Sequence, residues 1–314
     1  MAENYDFLII GAGVTGLSAA MYAARLGLKT LCLGTSSSSE LPLGGVITTT
    51  DVVENYPGFI KLTGTELADK IREHAQSYDL VTLKEENVES ISRTKSGFTV
   101  KAGSVYNAKT ILFATGTKWR KLEVPGAVEL ENRGVAYCAL CDAPLYKNKV
   151  VAVVGGSDSA AKDALLLAGH AKKVYIIYRK DKIRAEPINV KRIEQNKKIE
   201  IINNTNITQI IGTKKVDKVI LDKSYNGSKE LILDGVFVAI GHIFLSDLAK
   251  PLGVKLNDKG EIMIDHKTSE TNLPGIFAAG DVADKPFKQA ITGVAEGCTA
   301  AYSAYEHITK QSLA

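Results

Sequence analysis

One pattern occurs twice in this chain, and it limits the fold more than any other feature. Tyr5–Ile10 reads as a short buried strand, and Gly11-Ala12-Gly13-Val14-Thr15-Gly16 follows it at once. An alanine-rich stretch with helical periodicity then runs from Val14 to Leu26, closed by Gly27, and Thr30–Leu33 reads as a second strand. The plan recurs 144 residues later. Val150–Val154 is a strand, Gly155-Gly156-Ser157-Asp158-Ser159-Ala160 a turn, Ser159–Ala168 a helix and Val174–Tyr178 the next strand. Two strand–glycine turn–helix–strand units predict an α/β chain with two Rossmann-like nucleotide-binding domains.

The intervening segments place those domains. A helix is expected over Glu66–Tyr78, with Thr63 and Glu66 spaced as a capping box. Strands are expected at Val88–Ser92, Phe98–Lys101 and Thr110–Ala114. The second unit continues through Glu200–Ile202, Ile207–Ile211, Val216–Leu221, Leu231–Leu233 and Val236–Ile240. Gly275–Ala279 and a final helix over Gly293–Ile308 then complete the first unit. The expected arrangement is an insertion, with residues 1–117 and 246–314 forming one three-layer domain and 118–245 the other. The polar stretch Thr35–Ser39 with Glu40 reads as a flexible surface loop.

Composition narrows the function. With 45% apolar residues and a net charge of +4 the chain is in the globular range, and its lysine pairs are too short to make a nucleic-acid surface. No apolar run approaches the roughly 18–20 residues of a spanning helix. The N-terminus, with Glu3 and Asp6, does not read as a secretory signal, so the cytoplasm is the expected location. Among four cysteines, Cys32 and Cys298 stand alone and read as buried apolar residues, whereas Cys138 and Cys141 form a Cys-x-x-Cys pair. A second pair of zinc ligands at suitable spacing is missing from the sequence, so redox chemistry is favoured over a metal centre. Two intervening residues in a helical turn bring two sulfurs within bonding reach. The neighbouring Asp142 is placed to move a proton during thiol exchange.

The first glycine turn is a complete G-x-G-x-x-G, whose Gly11, Gly13 and Gly16 allow a tight turn, close approach to a pyrophosphate and close helix packing. In the second, Ser157 stands where a glycine is usual. The strand after it ends in Tyr178-Arg179-Lys180, with Arg184 beyond, where an NAD site carries an acid. Cations there suit a ribose phosphate, so NADPH is preferred to NADH.

Taken together, Gly44-Gly45, Thr48-Thr49-Thr50, Val53-Glu54-Asn55-Tyr56-Pro57-Gly58, Ala114-Thr115-Gly116, Tyr137–Asp142, Gly241-His242, Gly275–Asp281 and Gln289-Ala290-Ile291-Thr292 resemble the low-molecular-weight thioredoxin reductases, in order and spacing, over essentially the whole chain. The resemblance implies a homodimeric flavoenzyme carrying electrons from NADPH through FAD to its own disulfide, and then to thioredoxin or a thioredoxin-like protein. It implies FAD contacts at Gly11, Gly13, Val14, Thr15, Gly16, Gly44, Gly45, Val46, Thr50, Asn55, Val88, Thr115, Gly280, Asp281, Lys288, Gln289 and Ala290. NADPH contacts are implied at Gly156, Ser157, Asp158, Ser159, Arg179, Lys180 and Arg184. Cys141 matches the sulfur that faces the flavin, Cys138 the one that attacks the partner, and Asp142 the proton donor. The chain departs from the family at Ser157, at Tyr178-Arg179-Lys180 in place of His-Arg-Arg, at Ile243–Ser246 after Gly241-His242, at Lys288 for an arginine and at Val46 for a glutamine. Three alternatives stay open: another donor such as reduced ferredoxin, a flavin-dependent dithiol oxidase, and a non-catalytic flavin-bound redox sensor.

Overall fold

The computed structural model describes residues 2–34, 43–50 and 53–312, so the expected loop over Thr35–Ser39 and Glu40 lies outside the described residues. The chain begins with β1 (Glu3–Ile10), α1 (Val14–Arg25), β2 (Thr30–Gly34), α2 (Gly64–Gln76), β3 (Val81–Glu85), β4 (Ser90–Thr94), β5 (Gly97–Lys101) and β6 (Val105–Phe113). It leaves along β7 (Thr117–Trp119) and continues through β8 (Val135–Ala136), α3 (Ala139–Asp142), β9 (Val150–Val154), α4 (Asp158–His170), β10 (Lys173–Tyr178) and α5 (Pro187–Glu194). Then come β11 (Ile199–Asn203), β12 (Ile207–Ile211), β13 (Lys218–Tyr225), β14 (Ser228–Ile232) and β15 (Gly235–Val238). It returns along β16 (His242–Phe244) to β17 (Ile276–Ala278) and the long α6 (Ala290–Ser312). Two compact units result, Met1–Lys118 with Phe244–Ala314, and Trp119–Ile243.

In the first unit the sheet order is β3-β2-β1-β6-β5-β4, with β17 also pairing β6. Strands β3, β2, β1, β6 and β17 run parallel, and β4 and β5 form an antiparallel flap on β6. Phe7, Leu8 and Ile9 alternate between the two faces and are fully buried. Each such side chain contributes roughly 1.5–3 kcal/mol of transfer free energy, which is why the central strand reads as a continuous apolar run. Helices α1 and α6 cover one face, through Leu17, Ala19, Ala20 and Ala23 against Ala300, Ala301 and Ala304. Small residues there allow the two helices to approach closely. The second unit has a five-stranded parallel sheet, β11-β10-β9-β15-β8, and a separate antiparallel sheet, β12-β13-β14. Its α4 and α5 pack on one face of the parallel sheet through Ala160, Ala164, Leu167 and Ile193.

Several expected elements shift. The capping box at Thr63 and Glu66 is formed, with both reciprocal hydrogen bonds present, but the helix starts at Gly64 and ends at Gln76, short of Tyr78. Strand β4 occupies Ser90–Thr94 instead of Val88–Ser92, because the turn at Gly97 fixes the register of its hairpin. Strand β6 pairs with β5 from Val105 and with β1 from Tyr106, and so begins before the apolar run at Thr110. The sequence reading lacks β3 and α5. The first has only intermediate burial and the second is a short, polar helix opened by Pro187. Helix α6 starts at Ala290 and not at Gly293. Cys32 is buried, whereas Cys298 is only partly so.

Glycines fall into two kinds by what surrounds them. A Cβ on Gly297 of α6 would lie 2.3 Å from the Thr15 carbonyl of α1, whereas one on Gly169 of α4 would meet nothing within 4 Å. Gly297→Val is therefore expected to destabilise the first unit by about 2–4 kcal/mol through overpacking. Gly169→Ala should stabilise the second by roughly 0.5–1 kcal/mol. Urea denaturation midpoints check both, and a neutral Gly297→Val would contradict the close helix contact.

Candidate functional site

The first unit gathers its candidate residues where parallel strands end together. Ile10 of β1 lies opposite Leu33 and Phe113, and Ala278 lies opposite Phe113. Gly11 follows with a φ of 112°, and a Cβ there would sit 2.3 Å from the Ala114 carbonyl oxygen. A Cβ on Gly16 would sit 1.9 Å from the Gly11 carbonyl. Both positions are closed to any other residue. Helix α1 then begins at an N-cap, Gly13, that has no side chain to satisfy the first N–H groups. The orphan donors of Val14, Thr15 and Gly16, with the positive end of the helix dipole, suit a phosphate. Gly44 pairs in parallel with Gly13, and its N–H donates to the Ala12 carbonyl at 2.9 Å. Gly45 and Val46 open the turn that Thr50 closes, and the Thr50 carbonyl accepts the Gly64 N–H at 2.8 Å.

Gly280 reaches this cluster through Thr15. A Cβ on Gly280 would lie 2.7 Å from the Thr15 hydroxyl oxygen, and one on Gly293 2.5 Å from it. Asn55 donates from Nδ2 to the Gln289 Oε1 at 2.9 Å, joining two expected contacts that are 234 residues apart. Ala290 packs against Val53, Leu62 and Leu67. Three expected side chains are committed elsewhere. Val88 packs on the core, Thr115 donates to the Leu245 carbonyl at 2.6 Å, and Lys288 donates to the Asp281 and Ala283 carbonyls at 2.9 and 2.6 Å. Lys288 also pairs with Glu261 at 2.9 Å and lies over the Phe244 ring. Its cation thus shapes the Asp281 loop from beneath.

Sequence reasoning missed the acids of that loop. The buried Lys285 pairs with Glu296 at 2.7 Å, and the same Glu296 oxygen accepts the Gly280 N–H at 2.8 Å. Glu261, nearly buried, accepts from Asn257 and Lys288. Burial alone would raise its pKa, but these donors outweigh that and hold its carboxyl below the usual range. A glutamate inside an alanine-rich helix carries no local signal of such a role.

The second unit repeats the geometry with different chemistry. Gly155 has a φ of 148°, and its Cβ would lie 2.2 Å from the Ala239 carbonyl. Helix α4 starts from Ser157, whose hydroxyl makes no capping hydrogen bond, so its first N–H groups are also left as donors. Ser157 and Ser159 are exposed. Gly156 is pressed on the Tyr178 ring, where a Cβ would come to 2.4 Å, and the buried Tyr178 hydroxyl has no hydrogen-bond partner. The Arg184 N–H donates to the Gly156 carbonyl at 2.6 Å, which draws Arg184 to the helix start. Arg179, Lys180 and Arg184 are exposed, and no ion pair among the described residues engages them. Uncapped helix donors and three free cations fit a phosphorylated dinucleotide. The Asp158 carboxylate, by contrast, is occupied by Glu186, Asn189 and Lys162.

Cys138 is partly buried and disulfide-bonded, and the Asp142 N–H returns to its carbonyl at 3.3 Å across the short turn α3. The side chain of Cys141, the other half of the expected pair, lies outside the described residues, as does that of His242. Ala139 and Ala143 seat the turn on the core beneath α4. Burial pushes the Asp142 carboxyl up, toward holding its proton. Tyr146 is also raised, by burial first and then by the negative charges of Asp142 and Asp234. Among the described residues no cluster of His, Cys, Asp and Glu could hold a metal.

Burial pushes Asp163 of α4 up to about 7. Because its folded value lies above the unfolded one, near 3.9, its contribution to stability is full below about pH 4 and is lost as pH rises through about 7. Asp163→Asn is therefore expected to match the parent in urea midpoint at pH 3.5 and to exceed it at pH 8. Equal midpoints at both pH values would refute the burial of that charge.

Residues 5–297 match the model of the pyridine nucleotide-disulphide oxidoreductases. The thioredoxin reductase of Mycolicibacterium smegmatis is 40% identical over 311 residues, covering 98% of this chain and 97% of that protein. The solved thioredoxin reductase of Lactococcus lactis superposes with a TM-score of 0.90 at 36% identity, covering 98% and 99% of the two chains. That of T. acidophilum does so at 0.90 and 35%, covering 99% and 100%. With these likenesses over nearly its full length, the chain belongs to the pyridine nucleotide-disulphide oxidoreductases, flavin-dependent disulfide reductases that use FAD and NADPH.

Proposed function

We propose that this chain transfers two electrons from NADPH, by way of FAD and a Cys138–Cys141 disulfide, to the disulfide of thioredoxin or a thioredoxin-like protein. The observation that carries the reading is the disulfide-bonded Cys138, set before a helical turn in a chain that also has two uncapped phosphate-type helix starts. Gly11, Gly13, Val14, Thr15 and Gly16 would hold the FAD pyrophosphate, with Gly44, Gly45, Gly280 and Asp281 around it, and Asn55 and Gln289 fixing each other nearby. In the second unit Gly156, Ser157 and Ser159 would take the NADPH pyrophosphate at the start of α4, and Arg179, Lys180 and Arg184 the ribose phosphate. When bound, FAD supplies the redox centre that accepts a hydride's two electrons and passes them to a disulfide.

The remaining steps belong to the chain's own residues. Once reduced, Cys138 attacks the partner's disulfide as a thiolate, forming a mixed disulfide and releasing one partner thiolate. Asp142, whose carboxyl is held toward its protonated form by burial, supplies a proton to that leaving sulfur. Cys141 then attacks Cys138, which restores the internal disulfide and frees the partner as a dithiol. The net reaction consumes NADPH and one proton and yields NADP+ and two thiols. A homodimer in the cytoplasm is the assembly and location this reading carries. No helix among the described residues is long and apolar enough to cross a membrane.

Anaerobic addition of NADPH to the purified protein should bleach its flavin absorbance and expose two thiols per chain. Cys138→Ser should keep the flavin and its bleaching while losing at least about a thousandfold in thioredoxin reduction, since its nucleophile is gone. If NADPH left the flavin oxidised while dithionite bleached it, the donor would be another reductant.

A further inference from the structure

The resemblance places Asp158 among the nucleotide contacts, and the fold gives its carboxylate partners within the protein. Asp158 is the first residue of α4, where a carboxylate would sit beside any phosphate bound at the helix start and repel it. Both of its oxygens are already taken. Oδ1 accepts the Glu186 N–H at 2.9 Å and the Asn189 Nδ2 at 2.8 Å, while Oδ2 pairs with Lys162 at 2.9 Å. Asn189 is 2% exposed. Burial alone would raise the Asp158 pKa, but the bonds from Asn189, Lys162 and Glu186 outweigh it and hold the carboxyl below its usual range.

These bonds continue a backbone ladder. Ser157 and Arg184 form a parallel bridge, and the Arg184 N–H meets the Gly156 carbonyl at 2.6 Å. The next rung, two residues along at Glu186, would need a main-chain acceptor from Asp158, but that carbonyl has turned into the helix. The carboxylate takes its place. Arg184 is thereby pinned on both sides, with Ile183 buried beneath and Glu186 forming the N-cap of α5.

We propose that Asp158 is a positioning residue whose carboxylate, together with Asn189, clamps the Arg184 segment on the start of α4 and so sets the second unit's selectivity for a nucleotide carrying a ribose phosphate. The inference rests on the reading of that unit as the NADPH site. A clamp acts only through Arg184, so its loss removes the advantage of the phosphorylated nucleotide and spares the rest of the contact. A direct ligand would lower both affinities alike.

The test is calorimetric titration of the oxidised holoenzyme with NADP+ and NAD+, for the parent, Asp158→Ala, Asn189→Ala, Arg184→Ala and the Asp158→Ala/Asn189→Ala double variant. Flavin absorbance and thermal midpoint confirm folding. Asp158→Ala and Asn189→Ala should each weaken NADP+ by about tenfold or more and NAD+ by less than about twofold, approaching Arg184→Ala, with the double variant no worse than Asp158→Ala alone. Asn189→Ala leaves Asp158 its bonds to Glu186 and Lys162, so it carries the test if Asp158→Ala does not fold. Equal losses for both nucleotides, unchanged NADP+ affinity or tighter NADP+ binding would each overturn the clamp. A parent that binds neither nucleotide would overturn the NADPH reading itself, and the clamp with it.

Discussion

The whole structure depends on main chain approaching main chain at the ends of parallel strands. Gly11 meets the carbonyl of Ala114, Gly16 meets the carbonyl of Gly11, and Gly155 meets the carbonyl of Ala239, each at a distance no Cβ tolerates. Those contacts set a helix start directly above the strand ends. Its first N–H groups, which no side chain caps, are the donors such a start offers to a phosphate. A bulkier residue at any of these places would lift the helix, and with it the dipole and the donors. The same close approach continues between α1 and α6, where Thr15 fits among Gly280, Gly293 and Gly297. Binding geometry and packing geometry are one constraint in this fold.

Around that constraint the two units use charge differently. In the first, the cations are consumed internally. Lys285 and Lys288 pair with Glu296 and Glu261 and hold the backbone around Asp281. Buried pairs of this kind add little net stability against an apolar alternative, but they fix a loop in one conformation and are costly to break. In the second unit the cations of Arg179, Lys180 and Arg184 stay free while the acid Asp158 is tied to protein donors. One unit is thus built to fix backbone, the other to present positive charge.

Much of this was legible in the residues. The glycine turns at Gly11 and Gly155, the capping box at Thr63 and the alanine-rich helices are local signals, because steric permission and periodicity act within a few residues. The Cys-x-x-Cys spacing is equally local. Strand β3 and helix α5 escaped because their polar, half-buried sequences show no clean period. The partners of the Asp158 carboxylate were not legible in the turn, since Asn189 is 31 residues away.

By itself the sequence determined the doubled nucleotide-binding plan, the Cys-x-x-Cys spacing and the cationic end of β10, because each follows from residue type at short spacing. Only the tertiary structure decided which side chains remain available. Folding joined Asn55 to Gln289, turned Lys288 under its loop and engaged the Asp158 carboxylate with Glu186, Asn189 and Lys162. Hydrogen bonds between distant residues are settled by where strands end and helices begin. That geometry arises only when the whole sheet has formed.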